Sequence, residues 1–320
     1  MADPQHPLVT LLPSGKQFIS DAHSSVLESG LRAGVALPYR CSNGSCGECR
    51  ARIVAGKVEA TAFHDYTLTA AEKSAGVVLL CSHKALTPIE IEVTEAGNAE
   101  DIPLQQLNTR LCHTETIDDM LVIRLRILRG KALWFLAGQY ASIHIPGCKP
   151  HLLPIATCPC EAGTLEFHVS AEHKELQQAI VQLPKRERIT VEGPHGHFAV
   201  DDNTLTRFHH VFVTVDANFA VAKPMIEHIM ATETDPHCSL LWVASNHYRH
   251  NLCRSWADAF DWFSYQPLTD KTGLNRAITA VQRQSAQPLK IYLSASTQGE
   301  WYSQLAGLDR TELLTDYTAI

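Results

Sequence analysis

Four cysteines are the residues whose types and spacing most clearly indicate chemistry in this chain. Cys41, Cys46 and Cys49 share one short segment, with four and then two residues between them, and Cys81 follows much later. This C-x4-C-x2-C spacing with a remote fourth cysteine is typical of the ligand set of a 2Fe–2S cluster. The sequence therefore predicts a one-electron redox site held by four thiolates.

The residues between the cysteines suit such a site. Three thiolates on one loop must turn toward a common centre, and Gly44 and Gly47 allow the sharp backbone reversals that this requires. Glycine also lets backbone N–H groups approach the sulfur atoms, and such hydrogen bonds help to set the potential of a cluster. Two alternatives remain, a structural zinc site and unligated thiols, and the four-residue gap before Cys46 argues against zinc.

Length and composition restrict the remaining functions. The chain has 320 residues, more than one hydrophobic core usually organises, so two or three domains are expected. With 45% hydrophobic and 19% charged residues and a formal net charge of −7, and without a basic run, it indicates no nucleic-acid or membrane partner. No apolar stretch approaches the length of a membrane span, and the first residues lack the pattern of a signal peptide, so we expect a cytoplasmic protein.

Turn signals and hydrophobic patterns divide the chain into parts. In the first part, residues 5–95, a hairpin precedes a helix that Ser24 or Ser25 can cap and that continues to Ala33. The cysteine loop follows the helix, and a helical turn lies near residues 69–74. Further strands are predicted at Arg50–Ala55, Val77–Leu80 and Ile89–Val93.

Three further segments complete the predicted organisation. Residues 96–106 are polar, small and without period, which predicts a linker. Regularly spaced short strands over residues 107–203 predict a β-barrel. Strand-like and helix-like stretches alternate over residues 204–320, where a helix is expected to begin at Pro224, and this alternation predicts a parallel α/β domain. The predicted fold class is therefore α+β.

Several segments resemble one family. Leu37–Cys49, followed by Val78–Cys81, closely resembles the β-grasp 2Fe–2S ferredoxin domain of bacterial oxygenase reductases. Ala137–Tyr140 and Glu192–Phe198 resemble the Gly-Gln-Tyr strand and the Gly-Pro-x-Gly-x-Phe segment of the barrel that follows in that family. The order of the parts is similar to that in the reductase components of phenol hydroxylase and methane monooxygenase and in CDP-6-deoxyglucoseen reductases. The resemblance implies a ferredoxin domain, a flavin-binding-like Greek-key barrel and an NAD(P)-binding-like domain.

The flavin motifs of this family differ in the present chain. Active members carry Arg-x-Tyr-Ser, in which the arginine holds the flavin phosphate, the tyrosine covers the flavin ring and the serine bonds the reactive nitrogen of that ring. The matching stretch in this chain is His-Leu-Leu-Pro at 151–154. Pro154 offers neither a hydroxyl nor an N–H donor, and His151 replaces the arginine weakly. The family's Gly-x-x-Ser turn for the flavin diphosphate matches Lys-Glu-Leu-Gln at 174–177, where the carboxylate of Glu175 would repel a phosphate.

The nicotinamide motifs differ as well. The family's Gly-Gly-Thr-Gly-x-x-Pro turn brings the dinucleotide to a helix N-terminus, and the matching residues 218–224 contain no glycine. Phe219 and Val221 are expected to project side chains where the backbone must approach the ligand. The family's Cys-Gly-Pro is replaced by Ser-Ala-Ser at 294–296. We therefore expect a reductase-like module that has lost FAD and NAD(P)H binding, a pseudoenzyme.

Three hypotheses of function follow. In the first, the chain is a 2Fe–2S electron-transfer component that receives its electron from an external reductase and passes it to a protein acceptor such as an oxygenase component. The second is an active NAD(P)H-dependent flavin iron-sulfur reductase, and the third is a non-catalytic assembly or redox-sensing subunit. Arg40, Arg50 and Arg52 flank the cysteine loop, where their charges either steer an oppositely charged partner or are merely solvated. No catalytic residue is predicted.

Overall fold

The computed structural model describes residues 6–21, 23–33, 35, 37–39, 44–61, 66–93, 102, 104–128, 133, 135–159, 163–184, 187–232, 235–296, 298–306, 308 and 311–316. The chain forms two compact units. The first lies within residues 1–103 and includes Leu133, and the second lies within residues 104–320. Within the described residues, no helix has both the length and the apolar character needed to cross a membrane.

The first unit is a mixed sheet packed on a short helix. Its described elements are β1 (Leu8–Leu12), β2 (Gln17–Ile19), α1 (Val26–Arg32), β3 (Arg50–Ala55), β4 (Val58–Ala60), α2 (Ala70–Ser74), β5 (Val77–Leu79), β6 (His83–Ala85) and β7 (Ile89–Glu92). The main sheet has the order β2-β1-β7-β3-β5, in which β1 and β7 are parallel and the other neighbours are antiparallel. Strands β4 and β6 form a separate pair. The predicted β-grasp arrangement is confirmed.

Local sequence explains how this unit closes. The Ser25 hydroxyl accepts a hydrogen bond from the Glu28 N–H at 3.1 Å and thereby caps α1, as predicted. Val26 at the start of α1 is fully buried against the sheet, where Val9 and Leu11 alternate inward along β1. The apolar face of one helix and the inner face of the sheet therefore form a single core.

The second unit begins with an antiparallel six-stranded sheet. Its described elements are β8 (Gln105–Ile117), β9 (Met120–Ile127), β10 (Tyr140–His144), β11 (His151–Pro154), β12 (Thr164–Val169), α3 (Lys174–Val181) and β13 (Ile189–His195). The strand order is β11-β10-β13-β8-β9-β12. This curled sheet is the predicted barrel-like part.

A parallel sheet follows in the same unit. Its described elements are β14 (His209–Val215), α4 (Phe219–Met230), β15 (Cys238–Val243), α5 (His250–Ala259), β16 (Phe263–Leu268), α6 (Lys271–Gln284), β17 (Leu289–Ser294), α7 (Gln298–Leu305) and β18 (Thr311–Thr315). The order is β16-β15-β14-β17-β18, with all neighbours parallel. Phe212 faces the core formed with α4 and α5, whereas Val211 and Val213 face the core formed with α6 and α7. Helices therefore cover both faces, as predicted for an α/β sheet.

Three boundaries differ from the sequence-based expectation. Strand β8 begins at Gln105, inside the predicted linker, because inward residues such as Leu107 alternate with many exposed polar ones and make the strand resemble a loop. Helix α4 begins at Phe219, so that Pro224 lies inside the helix instead of at its start. Strand β5 ends at Leu79 instead of Leu80, and Leu80 and Cys81 lie in the 3-10 turn that follows it.

Candidate functional site

The predicted cluster ligands lie beside two neighbouring strands. Cys49 directly precedes β3, Cys81 lies in the 3-10 turn Leu80–Ser82 directly after β5, and β3 pairs with β5 in antiparallel orientation. The Leu80 N–H donates to the Cys49 carbonyl at 2.8 Å, so the sheet holds these two segments together. Both cysteines are buried. Cys41 lies outside the described residues.

In the described part of the cysteine loop, residues 44–49, the backbone is as its glycines predicted. Gly44 and Gly47 have φ values of 81° and 77°, a region that other residues enter only with strain. Between Cys46 and Cys49, the Glu48 N–H points at the Cys46 sulfur, with a nitrogen–sulfur distance of 3.4 Å. The loop therefore directs a hydrogen-bond donor to a predicted ligand sulfur.

Two features of this region fit a 2Fe–2S cluster. The donor set consists of thiols, and the Thr67 hydroxyl, which lies beside Gly47, is buried without a hydrogen-bond partner among the described residues. A sulfur atom of a bound cluster can accept a bond from such a donor. In the described part of the chain no three His, Cys, Asp or Glu side chains, Cys46, Cys49 and Cys81 included, are arranged as a metal site.

The arginines next to the loop have carboxylate partners. The Arg50 Nε lies 3.3 Å from Glu72 Oε1, and Arg52 pairs with Glu92. The backbone N–H and hydroxyl of Thr69, together with the Arg50 guanidinium, lower the pKa of Glu72. Neither described arginine is therefore an isolated positive charge for steering a partner, and Arg40 lies outside the described residues.

His151, at the position of the family's flavin-binding arginine, forms its hydrogen bond within its own loop. His151 is 8% exposed, and its Nδ1 donates to the Lys149 carbonyl at 2.7 Å. Its ring meets the His173 ring edge to face, with centroids 5.5 Å apart. Burial, followed by the neighbouring His151, lowers the pKa of His173, which disfavours a positive charge here. These residues do not reproduce an arginine that pairs with a phosphate.

The first turn of α3 is also poorly suited to a diphosphate. Helix α3 has no side-chain cap, and Glu175 is exposed in its first turn. Gln177, at the family's serine position, donates to the carbonyls of Val169 at 2.9 Å and Asp119 at 3.1 Å. The side chain therefore ties α3 to the barrel.

One expectation about the dinucleotide segment is wrong. Phe219 and Val221 do not project toward a ligand, because both are fully buried. The Phe219 ring stacks on Trp242 with centroids 4.3 Å apart and an interplanar angle of 11°. Since the helix begins at Phe219, its first apolar side chains turn into the core.

Other residues occupy the end of β14, where the family carries its glycine-rich turn. The Asn218 amide donates to the Val215 carbonyl at 3.0 Å and to the Ser296 hydroxyl at 3.2 Å. Asp216 adopts a left-handed φ of 50°, and burial, followed by the neighbouring carboxylate of Glu172, raises its pKa. Two carboxylates near the start of α4 oppose an anionic diphosphate. The residues present do not fit the dinucleotide as the family binds it.

Sequence reasoning missed a buried polar group that joins the barrel to α4. Lys223 Nζ donates to the Ala156 carbonyl at 2.9 Å and lies 3.4 Å from Glu166 Oε1. His168 Nε2 donates to Glu166 at 3.0 Å, and its Nδ1 accepts from the Tyr248 hydroxyl at 2.7 Å. We call Glu166, His168, Lys223 and Tyr248 the barrel–helix cluster.

The carboxylate of Glu166 has cationic partners inside and outside the barrel–helix cluster, because Arg124 Nε also lies 2.7 Å from its Oε2. Burial alone would raise the pKa of Glu166, but the His168 hydrogen bond and the Lys223 ammonium hold it well below its usual range. Burial lowers the pKa of His168. In sequence, Glu166 and His168 alternate with Leu165 and Phe167, which is the pattern of an exposed strand face, so no sequence signal marked them as buried.

Comparisons with known proteins agree with this architecture. Residues 9–86 match the family described as a 2Fe-2S iron-sulfur cluster binding domain. The chain is 28% identical over 265 residues to CDP-6-deoxy-L-threo-D-glycero-4-hexulose-3-dehydrase reductase of Yersinia pestis, covering 81% of this chain and 79% of that protein. It is 25% identical over 246 residues to terephthalate 1,2-dioxygenase reductase component 1 of Comamonas sp., covering 75% and 72%.

A solved structure extends the likeness to the whole chain. The crystal structure of an Amycolatopsis cytochrome P450 reductase matches with a TM-score of 0.55 at 19% identity, covering 96% of this chain and 98% of that one. The chain joins a 2Fe–2S ferredoxin-type domain to a ferredoxin reductase-like module. At this identity the structural match shows the fold alone, so the chemistry of the reductase-like module must be argued from its own residues.

The reductase-like module contains a buried carboxyl group directly after the last strand of its parallel sheet. Asp316 directly follows β18, is 5% exposed, and accepts hydrogen bonds from the Tyr140 hydroxyl and, at 3.3 Å, from the Ser294 hydroxyl. Ser294 is the first residue of the segment that replaces the family's Cys-Gly-Pro. Burial raises the pKa of Asp316 to about 6, and the two hydroxyls oppose that rise.

The raised pKa of Asp316 predicts a pH-dependent stability. Between the unfolded value of 3.8 and the folded value of about 6, the folded state binds more protons, so this group's contribution to stability falls as pH rises. Over that range the wild type should lose up to about 3 kcal/mol relative to Asp316→Asn, which does not titrate. Urea unfolding of both proteins from pH 4 to pH 7 measures the difference, and parallel pH profiles would contradict it.

Proposed function

We propose that this protein is a one-electron carrier whose redox centre is a 2Fe–2S cluster bound by Cys41, Cys46, Cys49 and Cys81. The match over residues 9–86 and the buried thiols beside paired strands support this assignment. When bound, the cluster supplies a one-electron couple. The chain's residues would supply the thiolates, direct the Glu48 N–H at the Cys46 sulfur, and bury Cys49 and Cys81 in an apolar core.

The reductase-like module, in this proposal, does not pass hydride from NAD(P)H to a flavin. The observation that carries this step is the bridge from Asn218 to Ser296, which occupies the strand ends where a dinucleotide would approach α4. The acids Asp216 and Glu172 and the absence of glycine from residues 218–224 also support it. Because the module transfers no hydride in this proposal, it needs no acid–base residue. It contributes only its folded surface to the protein.

The electron donor and acceptor are then other proteins. An external reductase supplies the electron, and an oxygenase component or a related enzyme accepts it. The names of relatives from Comamonas and Yersinia, reductase components of a dioxygenase and of a dehydrase system, support a protein acceptor of this kind. The division into domains 5–95, 107–203 and 204–320 with a linker at 96–106 also remains a proposal, except that β8 begins at Gln105, within that linker.

A second candidate function is an active NAD(P)H-dependent flavin iron-sulfur reductase. Similarity to the Yersinia pestis reductase over 81% of the chain favours it, because that similarity includes the reductase-like module. Under this reading the flavin is held by contacts that differ from the family's arginine and serine.

Anaerobic purification distinguishes the two functions. We expect iron and acid-labile sulfide in equal amounts, no flavin in the denatured supernatant, and no bleaching of the visible spectrum by NADH or NADPH. In a second arm of the experiment, flavin is added to the purified protein before NADH or NADPH, because a loosely held flavin is easily lost during purification. Stoichiometric flavin, or bleaching by either nucleotide with or without added flavin, would establish the active reductase instead.

A further inference from the structure

The peptide between Gly47 and Glu48 has hydrogen bonds at both ends. Its N–H, on Glu48, donates to the Cys46 sulfur with a nitrogen–sulfur distance of 3.4 Å. Its carbonyl, on Gly47, accepts from Arg50 Nη1 at 2.6 Å. One rigid peptide plane therefore connects the Arg50 guanidinium to a predicted ligand sulfur.

Arg50 is itself held in place by three groups. Its Nη2 donates to the Thr67 carbonyl at 2.8 Å, its Nη1 bonds the Gly47 carbonyl, and its Nε lies 3.3 Å from Glu72. Glu72 is fixed in turn by a capping box with Thr69 at the start of α2. The planar guanidinium therefore links three parts of the chain: the cysteine loop, the residues around Thr67, and helix α2.

Gly47 makes room for this contact. A Cβ at residue 47 would lie 2.9 Å from Arg50 Nη1 and 3.0 Å from Thr67 Oγ1, closer than Cβ atoms normally approach other atoms. The positive φ of Gly47 and the position of Arg50 therefore depend on each other.

We propose that Arg50 is a positioning residue that fixes the Gly47–Glu48 peptide so that its N–H faces Cys46, and that this raises the reduction potential of the cluster. This rests on the cluster assignment in the proposed function. Reduction adds one electron, and therefore one negative charge, to the cluster and its thiolates. A fixed N–H donor and a nearby guanidinium both stabilise that added charge.

Arginine is suited to this task in a way that lysine is not. The guanidinium presents several N–H donors in one plane and reaches two carbonyls and a carboxylate together. A lysine keeps the positive charge but cannot make the same set of fixed bonds. The pair of substitutions Arg50→Gln and Arg50→Lys therefore separates charge from positioning.

The matched control is Arg52→Gln. Arg52 lies on the same strand, β3, and its removal changes the net charge equally. Its side chain pairs with Glu92 on β7 and, among the described residues, makes no hydrogen bond or ion pair with the cysteine loop. Any effect of charge at a distance should appear in Arg52→Gln as well as in Arg50→Gln.

Redox titration of the purified full-length proteins tests the proposal. Iron and sulfide are measured first, because a wild type without both refutes the cluster assignment, not this inference. With mediators as electron donors, Arg50→Gln should be reduced at a more negative potential than wild type, an approximately tenfold less favourable equilibrium. Arg52→Gln should match the wild type, and Arg50→Lys should fall between wild type and Arg50→Gln.

A spectroscopic readout distinguishes positioning from general stability. In resonance Raman spectra, transfer from H2O to D2O should shift the Fe–S stretching bands less in Arg50→Gln than in Arg52→Gln, because an N–H···S bond is lost. Equal potentials and equal isotope shifts in the two variants would refute the inference. Equal potentials in wild type and Arg50→Lys would do so as well, since charge alone would then suffice. If Arg50→Gln does not retain iron, the Arg50→Lys comparison decides the question.

Discussion

Protein carrying Cys49→Ser is expected to contain almost no acid-labile sulfide and to lack the visible absorption of the wild type. Cys49 is 2% exposed and directly precedes β3, which hydrogen bonds fix to the segment that carries Cys81. A neutral serine hydroxyl is a poor substitute for a thiolate at iron, so the site loses one of its four predicted ligands. Iron and sulfide assays of anaerobically purified protein measure the loss.

Cys112→Ser is the matched control for the cluster assignment. Cys112 is an exposed cysteine of β8 whose thiol donates to the Arg124 carbonyl at 3.2 Å, and it has no place in the predicted ligand set. This variant should retain the iron and sulfide content of the wild type. Wild-type protein that contains zinc instead of iron, or a Cys49→Ser variant with a full complement of sulfide, would contradict the assignment.

Lys223→Met is expected to lower the free energy of unfolding of the reductase-like module by about 3 kcal/mol or more. The Lys223 side chain is 9% exposed and lies within 3.4 Å of Glu166, which is 6% exposed, and within 2.9 Å of Glu227. Removing the ammonium leaves buried carboxylate charge with less compensation and leaves the Ala156 carbonyl without its donor. Urea denaturation followed by tryptophan fluorescence reports on this module through Trp242 and Trp256.

Lys271→Met provides the comparison for this prediction. Lys271 pairs with Glu300 at the surface, where the side chains are 39% and 67% exposed, and its loss should cost about 1 kcal/mol or less. The double variant Lys223→Met/Glu166→Gln should recover part of the loss, because the uncompensated charge is then removed. Equal small losses at residues 223 and 271 would show that the barrel–helix cluster does not hold the module together.

Much of the first unit could be predicted from sequence because its determinants are local, although the strand pair β4 and β6 was not predicted. The cap at Ser25, the glycines of the cysteine loop and the alternation of Val9 and Leu11 each act within a few residues, and the structure confirms all of them. The strand predicted over Val77–Leu80 is one residue too long, because Leu80 is apolar like the strand residues before it. The chain leaves the strand at Leu79 and enters a 3-10 turn, a distinction of one or two residues that composition does not carry.

The order of the two sheets in the reductase-like module could be predicted from sequence, but the contacts between their residues could not. Sequence patterns indicated the antiparallel sheet and the parallel sheet, yet the first two residues of β8, Gln105 and Gln106, were placed in the linker because they are polar. Phe219 was expected to face a ligand because an alignment of motifs gives the position of a residue in the chain but not the direction in which its side chain points. Its actual direction depends on where α4 begins and on the ring of Trp242, a residue far along the chain.

The sequence by itself determined the cysteine set, the ferredoxin-type domain and the order of the parts, because spacing, caps and periodicity are properties of neighbouring residues. Only the tertiary structure decided which polar residues are buried. Glu166 and Lys223 lie far apart in sequence, and their pairing exists because β12 and α4 pack together. The same holds for Arg50, whose role depends on carbonyls at residues 47 and 67 that only the fold brings within reach of one guanidinium.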